Sequence, residues 1–144
     1  MRNRHPSEVV RVMIVMLAPV IALFGLYVIA HGHYGPGGGF AGGVILAVGA
    51  ILPRVALDDR LAYTMVPPIA GVLAAVLGML LLVVTAALPL LAGVPFLDYQ
   101  GFVVGGADPA FVRYVAILVV EIAVGFAVFG SILLLYDLVA ERVD

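Results

Sequence analysis

Glu121 is the residue in this sequence best placed to do chemistry inside a membrane. It is the one carboxylate within a long apolar stretch, seven residues after Tyr114, or about 10 Å deep at ~1.5 Å of helix rise per residue. A charge at that depth costs about 3 kcal/mol even on insertion scales, so the side chain should face a partner, a cavity or an ion path. Two roles stay open for it: cation or proton handling, or a polar contact that holds its helix against a neighbouring subunit.

Three further residues are candidates for an ion path: His31, His33 and Asp108. The two histidines could titrate near neutral pH, but two ligands make no closed metal site and the sequence offers no evident third. They also suit an interfacial loop shaped by the surrounding glycines. Asp108 precedes Pro109, which is typical of the N-terminal cap and first position of a helix. Alternatively, Asp98 and Asp108 collect cations at the outer mouth.

The composition defines the class of protein to which these residues belong. The chain is 65% hydrophobic and 11% charged, with a mean hydropathy of +1.24, whereas soluble domains are about 45–50% apolar and about 25% charged. It therefore belongs to the membrane class. With no Cys, it has no disulfides, thiolate chemistry or Cys-ligated clusters. The net charge of −2 contains no basic run, which disfavours nucleic acid as a partner. We predict no enzyme activity, no catalytic residue, no metal and no cofactor.

The apolar stretches predict an all-α integral membrane protein with four transmembrane helices, since about 20 apolar residues cross a bilayer. Residues 1–144 form a single membrane domain, and the helices are expected at about 9–31, 39–57, 65–92 and 111–136. The second span is the weakest, because Pro53 and Arg54 follow a short apolar run. Arg54 would have to extend toward the headgroups. A three-span alternative, with residues 31–57 re-entrant, weakens the charge bias described next.

The arginines orient these helices. All seven positive side chains are arginines, and only Arg113 falls between helices three and four; the others lie at the two termini and in the loop between helices two and three. The positive-inside rule then places both termini in the cytoplasm. The charged groups at the cytoplasmic ends of the helices are interpreted as solvated: Asp58, Asp59, Arg60, Asp137, Glu141, Arg142 and Asp144.

A glycine-rich segment, residues 31–43 (HGHYGPGGGFAGG), separates the first two helices. Such a run cannot be the middle of a stable helix, so we predict a Gly-rich extracytoplasmic turn that leads into helix two. Gly39, Gly43 and Ala47 recur every four residues, and such stripes let helix backbones approach closely in lipid. Without Lys or a preceding strand, phosphate binding is disfavoured. The candidates for helix packing or assembly are Pro36, Gly37, Gly38, Gly39, Phe40, Gly42, Gly43 and Ala47.

The same segment carries a resemblance to a known family. The pattern Gly-His-x-x-Pro-Gly-Gly-Gly-Phe-x-Gly-Gly, residues 32–43, resembles the signature of the MnhB/MrpB-like subunits of Mrp-type multisubunit monovalent cation/proton antiporters, and related domains occur in membrane-bound hydrogenases. The resemblance implies a small accessory subunit in a prokaryotic plasma membrane. Its partners would be large antiporter-like and small membrane subunits. The complex would exchange cytoplasmic Na⁺, or sometimes K⁺ or Li⁺, for external H⁺, and so support pH and sodium homeostasis.

Two other functions stay open. One is a membrane subunit of an energy-converting hydrogenase or related redox-driven ion pump. The other is a small homo-oligomeric channel or scaffold that uses the glycine face of helix two as its self-contact. A stand-alone secondary transporter is disfavoured, because the two halves of the chain show no convincing repeat.

Overall fold

The computed structural model describes residues 7–32, 34–35, 37–99 and 108–143, and for Arg142 and Val143 only the backbone. These residues form five helices: α1 (Glu8–His31), α2 (Gly39–Ala56), α3 (Asp59–Met65), α4 (Pro68–Leu91) and α5 (Pro109–Val143). Within the described ranges, four segments are long and apolar enough to cross a membrane: Glu8–His31, Gly39–Ala56, Asp59–Leu91 and Pro109–Glu141. The prediction of an all-α protein with four spanning helices is confirmed.

The short helix α3 is an element that the apolar pattern does not predict. It ends because two prolines follow it: Val66 is extended (φ −138°, ψ 99°), as the residue before a proline prefers, and Pro68 occupies the first turn of α4. The break separates a seven-residue helix from the spanning helix within one charge-poor stretch.

At the other end of the chain, α5 continues past Tyr136, the predicted end of helix four, to Val143.

The helices pack in the order α1, α2, α5, α4, with α2 between α1 and α5. This position explains why α2 is the weakest span by sequence. Of its most apolar window, 44% of the residues are buried inside the protein, against 22% for each of the other spans. A helix that mainly faces other helices needs fewer lipid-compatible side chains.

Glycine brings the helix backbones into direct contact at each of these pairings. A Cβ built on Gly25 of α1 would lie 2.8 Å from Leu46 N of α2, and one built on Gly78 of α4 would lie 2.7 Å from Ala123 O of α5. Because lipid supplies no hydrophobic drive between helices, close backbone packing is what holds them together.

The segment after α4 folds back onto that helix. Leu97 N donates to Ala86 O (3.2 Å), and the Tyr99 hydroxyl donates to Thr85 O (3.2 Å). Burial raises the pKa of Tyr99 above its usual value. The outward faces of α1 and α4 remain apolar and exposed, for example Leu23 (68%) and Val76 (59%), as a bilayer requires.

Candidate functional site

The structure brings together the two most informative features of the sequence, Glu121 and the glycine segment. Oε1 of Glu121 lies 3.2 Å from a Cβ built on Gly32 and 3.6 Å from one built on Gly38, while Oε2 is buried. The backbone carbonyl of Glu121 lies directly against Gly39. The carboxylate therefore covers the point where the α1–α2 connection closes.

That closure depends on glycine for two physical reasons. Gly32 and Gly38 are in backbone contact, since a Cβ on Gly32 would lie 2.5 Å from Gly38 N. Gly37 (φ 149°) and Gly38 (φ 92°) adopt backbone conformations that L-residues rarely tolerate. Any side chain at these positions would strain the loop or push it away from Glu121.

The carboxylate also lies beside the N-terminus of α2. The first amide groups of a helix carry partial positive charge and lack intrahelical acceptors. Gly38 provides no side-chain cap, and the first turn of α2 contains no acidic residue. Glu121 therefore places, from α5, a carboxyl group beside this N-terminus, where the sequence of α2 itself has none.

His31 belongs to a series of aromatic rings on the same end of the bundle. Its ring stacks on Tyr27 (centroids 5.3 Å, interplanar 12°) and tilts against Tyr34 (5.6 Å), whose ring lies 6.5 Å from that of Tyr114 on α5. His33 and Pro36 lie outside the described residues. Within the part of the chain that the structure describes, no group of three or more His, Cys, Asp or Glu could hold a metal ion.

Asp108 caps α5. Its Oδ1 accepts from Ala110 N (3.1 Å), and its carbonyl accepts from Val112 N (3.1 Å). The side chain is exposed and lies thirteen positions before Glu121 along the chain, at the start of the helix. The structure thus brings Glu121 to the glycine segment and places Asp108 elsewhere.

The packing candidates on α2 occupy two faces of the helix. Gly39 and Gly43 face α5, where a Cβ on Gly43 would lie 2.5 Å from Gly125 O; Gly42 faces α1, where its Cβ would lie 2.7 Å from Gly25 O. Ala47 is fully buried, whereas Phe40 points outward and is 68% exposed. Gly37 approaches Val28 of α1, where its Cβ would lie 2.9 Å from Cγ1.

A buried ion pair at the opposite end of the bundle corrects two interpretations from the sequence. Arg54 Nη1 donates to Asp137 Oδ1, and Nη2 donates to Val66 O (3.0 Å), with the guanidinium 5.4 Å from the Tyr63 ring centroid. The two charged side chains are only 3% and 17% exposed. Arg54 therefore does not extend to the headgroups, and Asp137 is not a solvated end. The cause is that α2 and α5 run parallel, so charged groups toward their C-terminal ends meet.

The fold and these contacts define a multi-pass membrane protein whose helices are held by glycine contacts and by the buried Arg54–Asp137 ion pair. A family described as a domain related to the MnhB subunit of Na⁺/H⁺ antiporters matches residues 9–134. The chain belongs to this MnhB family, and the resemblance seen in the glycine segment is confirmed.

Individual relatives agree with this assignment. The chain is 40% identical over 81 residues to the putative antiporter subunit mnhB2 of Staphylococcus epidermidis, covering 56% of each protein. It is 35% identical over 80 residues to a Na⁺/H⁺ antiporter subunit of Bacillus subtilis, covering 56% of this chain and 55% of that protein. To the putative antiporter subunit mnhB2 of Staphylococcus aureus it is 32% identical over 95 residues, covering 66% and 67%. The chain thus spans little more than half the length of the first two.

Proposed function

We propose that this protein is an accessory subunit of a multisubunit Na⁺(K⁺)/H⁺ antiporter complex in a prokaryotic plasma membrane, where it supports cation/proton exchange and pH and sodium homeostasis. The observation that carries the proposal is the family match over residues 9–134. The name of the Bacillus subtilis relative, a Na⁺/H⁺ antiporter subunit, supports it. The partners are large antiporter-like subunits and further small membrane subunits, and the protein acts in transport rather than as an enzyme.

Both termini are proposed to be cytoplasmic. Arg54 and Arg60 lie at the end of the bundle where α2 ends and α3 begins, the same end as Arg11 near the start of α1. Arg113 lies near the start of α5, at the opposite end. This separation agrees with the positive-inside rule, and it puts the α1–α2 connection on the outer side.

Glu121 is the residue we expect to handle protons or cations. An ionisable side chain within a span is a functional candidate because placing it in the membrane costs free energy. Oε2 of Glu121 is buried where α1, α2 and α5 meet. Its neighbours Gly32 and Gly38 belong to the segment that carries the family resemblance. Asp108, as the cap of α5, is better explained by its structural contacts, and His31 by its ring stacking.

Exchange measurements in everted vesicles test this function. In cells whose own copy is deleted, the wild-type chain should restore Na⁺-dependent proton exchange. Glu121→Gln should reduce that exchange while the subunit remains in the complex. Asp58→Asn, at an exposed carboxylate outside the spans, is the matched control and should leave exchange unchanged. If the Glu121→Gln variant shows wild-type exchange across pH 7–9, Glu121 does not handle protons or cations and serves only as a contact between helices. Full Na⁺-dependent proton exchange in the deletion strain, without any copy of this chain, would contradict its role as a subunit that supports exchange.

A further inference from the structure

An apolar groove runs between α4 and α5 along one side of the bundle. It has a volume of about 460 Å³ and is lined by apolar residues of the two helices, among them Ala70, Ala74, Gly78, Leu81, Phe126 and Phe129. The two helix backbones touch beside it, since a Cβ on Gly78 would lie 2.7 Å from Ala123 O. The small residues of α4 that allow this contact also leave open the space that larger side chains would fill.

The groove extends from one end of the bundle to the middle of the membrane. Ala70 and Leu81 are eleven residues apart, or about 16 Å along α4. Beyond Leu81 the helix continues to Leu91 without the groove. Because the hydrocarbon core is about 30 Å thick, each leaflet contributes about 15 Å of it. The groove therefore matches the depth of one leaflet, the one on the side of the Arg54–Asp137 pair.

The groove is too small for a helix of another protein. A helix segment about 16 Å long and about 10 Å across would occupy about 1,250 Å³, well above the volume present. Helices that pack tightly in membranes also meet through small residues, whereas Phe126 and Phe129 stand beside the small residues of α4. A hydrocarbon chain is only about 4 Å thick at the usual contact distance between carbon atoms. A single acyl chain therefore fits along the groove.

The charges at the lower end of the groove suit a phospholipid headgroup. Ala70 lies near the start of α4, and α3, directly before it in the chain, carries the exposed Arg60. Arginine binds phosphate well, because its N–H groups match the phosphate oxygens. Asp58 and Asp59 are exposed at the same end, so a headgroup with no net negative charge is favoured over an acidic one.

We propose that this groove binds one acyl chain of a phospholipid with a zwitterionic headgroup, whose phosphate lies at Arg60. In the proposed orientation this lipid belongs to the cytoplasmic leaflet. Its chain fills the space that the small residues of α4 leave open, and the lipid is thereby a structural component of the α4–α5 contact. The site does not depend on the role in antiport, so its test is separate from the tests of that role.

Fluorescence quenching tests the site, since the chain contains no tryptophan of its own. Phe126→Trp places a reporter in the groove, and Phe129→Trp is a second reporter should the first fail to fold. Val76→Trp, on the exposed face of α4 at a similar depth, is the lipid-facing control. Each full-length variant is purified in mild detergent. It is then titrated with phosphatidylethanolamine whose acyl chains carry bromine, which quenches tryptophan on contact.

The groove reporter should be half quenched at a mole fraction of brominated lipid about fivefold below that needed for Val76→Trp, which corresponds to roughly 1 kcal/mol of added dispersion contacts. Ala74→Phe fills the groove and should remove this difference; Ala70→Phe replaces it if that variant does not fold. Arg60→Gln should reduce the difference about twofold, as the loss of an exposed ionic contact does.

Three outcomes would overturn the site. The first is equal quenching of the groove and control reporters, and the second is a difference that survives the groove-filling variants. The third is weaker quenching in the groove than at Val76→Trp, which would mean that protein, such as a second copy of the chain, covers it. A difference that Arg60→Gln leaves unchanged would overturn the contact with the phosphate.

Discussion

Because the Arg54–Asp137 ion pair is buried, the loss of stability caused by breaking it can be predicted. Asp137→Leu removes the acceptor of Nη1 and leaves an arginine side chain that is only 3% exposed. Removing one partner of a buried ion pair costs about 3 to 5 kcal/mol, whereas replacing both by apolar side chains of similar volume is nearly neutral or favourable. Arg54 keeps its bond to Val66 O and its contact with Tyr63, which puts the expected loss for Asp137→Leu near 3 kcal/mol.

The companion variants define a double-mutant cycle. Arg54→Met should cost less, about 2 kcal/mol, because Asp137 is 17% exposed and its carboxylate can hydrate. The double variant Arg54→Met with Asp137→Leu should lie within about 1 kcal/mol of the wild type, which gives a coupling energy of roughly 4 kcal/mol. The assay is unfolding of the purified chain by denaturant in detergent micelles, followed by helical circular dichroism. Asp59→Asn, at an exposed carboxylate, is the control and should change stability by less than about 0.5 kcal/mol. Additive losses in the double variant would refute the reasoning, because they would mean that the two side chains stabilise the fold independently.

Two further predictions concern glycine packing and the start of α5. Gly43→Leu should separate α2 from α5, because a Cβ there would already lie 2.5 Å from Gly125 O. Native gels should show loss of the complex. The control Gly35→Ala should assemble normally, because no atom of the described residues beyond its chain neighbours lies within 4 Å of a Cβ at that position. Normal assembly of Gly43→Leu would contradict the close contact. Asp108→Ala should remove the hydrogen bond from Ala110 N and weaken the first turn of α5 by about 1 kcal/mol. Amide hydrogen exchange in that turn should become about fivefold faster. An unchanged rate of amide hydrogen exchange would show that the cap is dispensable.

Much of the bundle follows from the sequence, because spanning helices are defined by local apolar length. The helices α1, α4 and α5 need no tertiary information for their existence. The break at Val66 is a local effect of Pro67 and Pro68, and it lies close to the start expected for helix three, near residue 65. The short helix α3 before the break is not predicted, because it falls in the loop expected between helices two and three. The extension of α5 to Val143 is not predicted either. Apolar length marks the end of the span near Tyr136, but the helix continues beyond it.

The site was harder to predict than the spans, because it depends on contacts between distant residues. Glu121 and the glycine segment are each conspicuous in the sequence, yet nothing in their spacing places Oε1 over Gly32 and Gly38. Arg54 and Asp137 are 83 residues apart, and the position of each at the end of a helix favours a solvated interpretation. Only the parallel course of α2 and α5 brings the two charges together.

The most direct test of the central claim is the mass and composition of the complex that a tagged copy of this chain extracts from its native membrane in mild detergent. Native mass spectrometry should find the chain at fixed stoichiometry with large antiporter-like subunits and further small membrane subunits. A particle that contains only copies of this chain, or one with iron–sulfur or nickel proteins in place of the antiporter subunits, would contradict it.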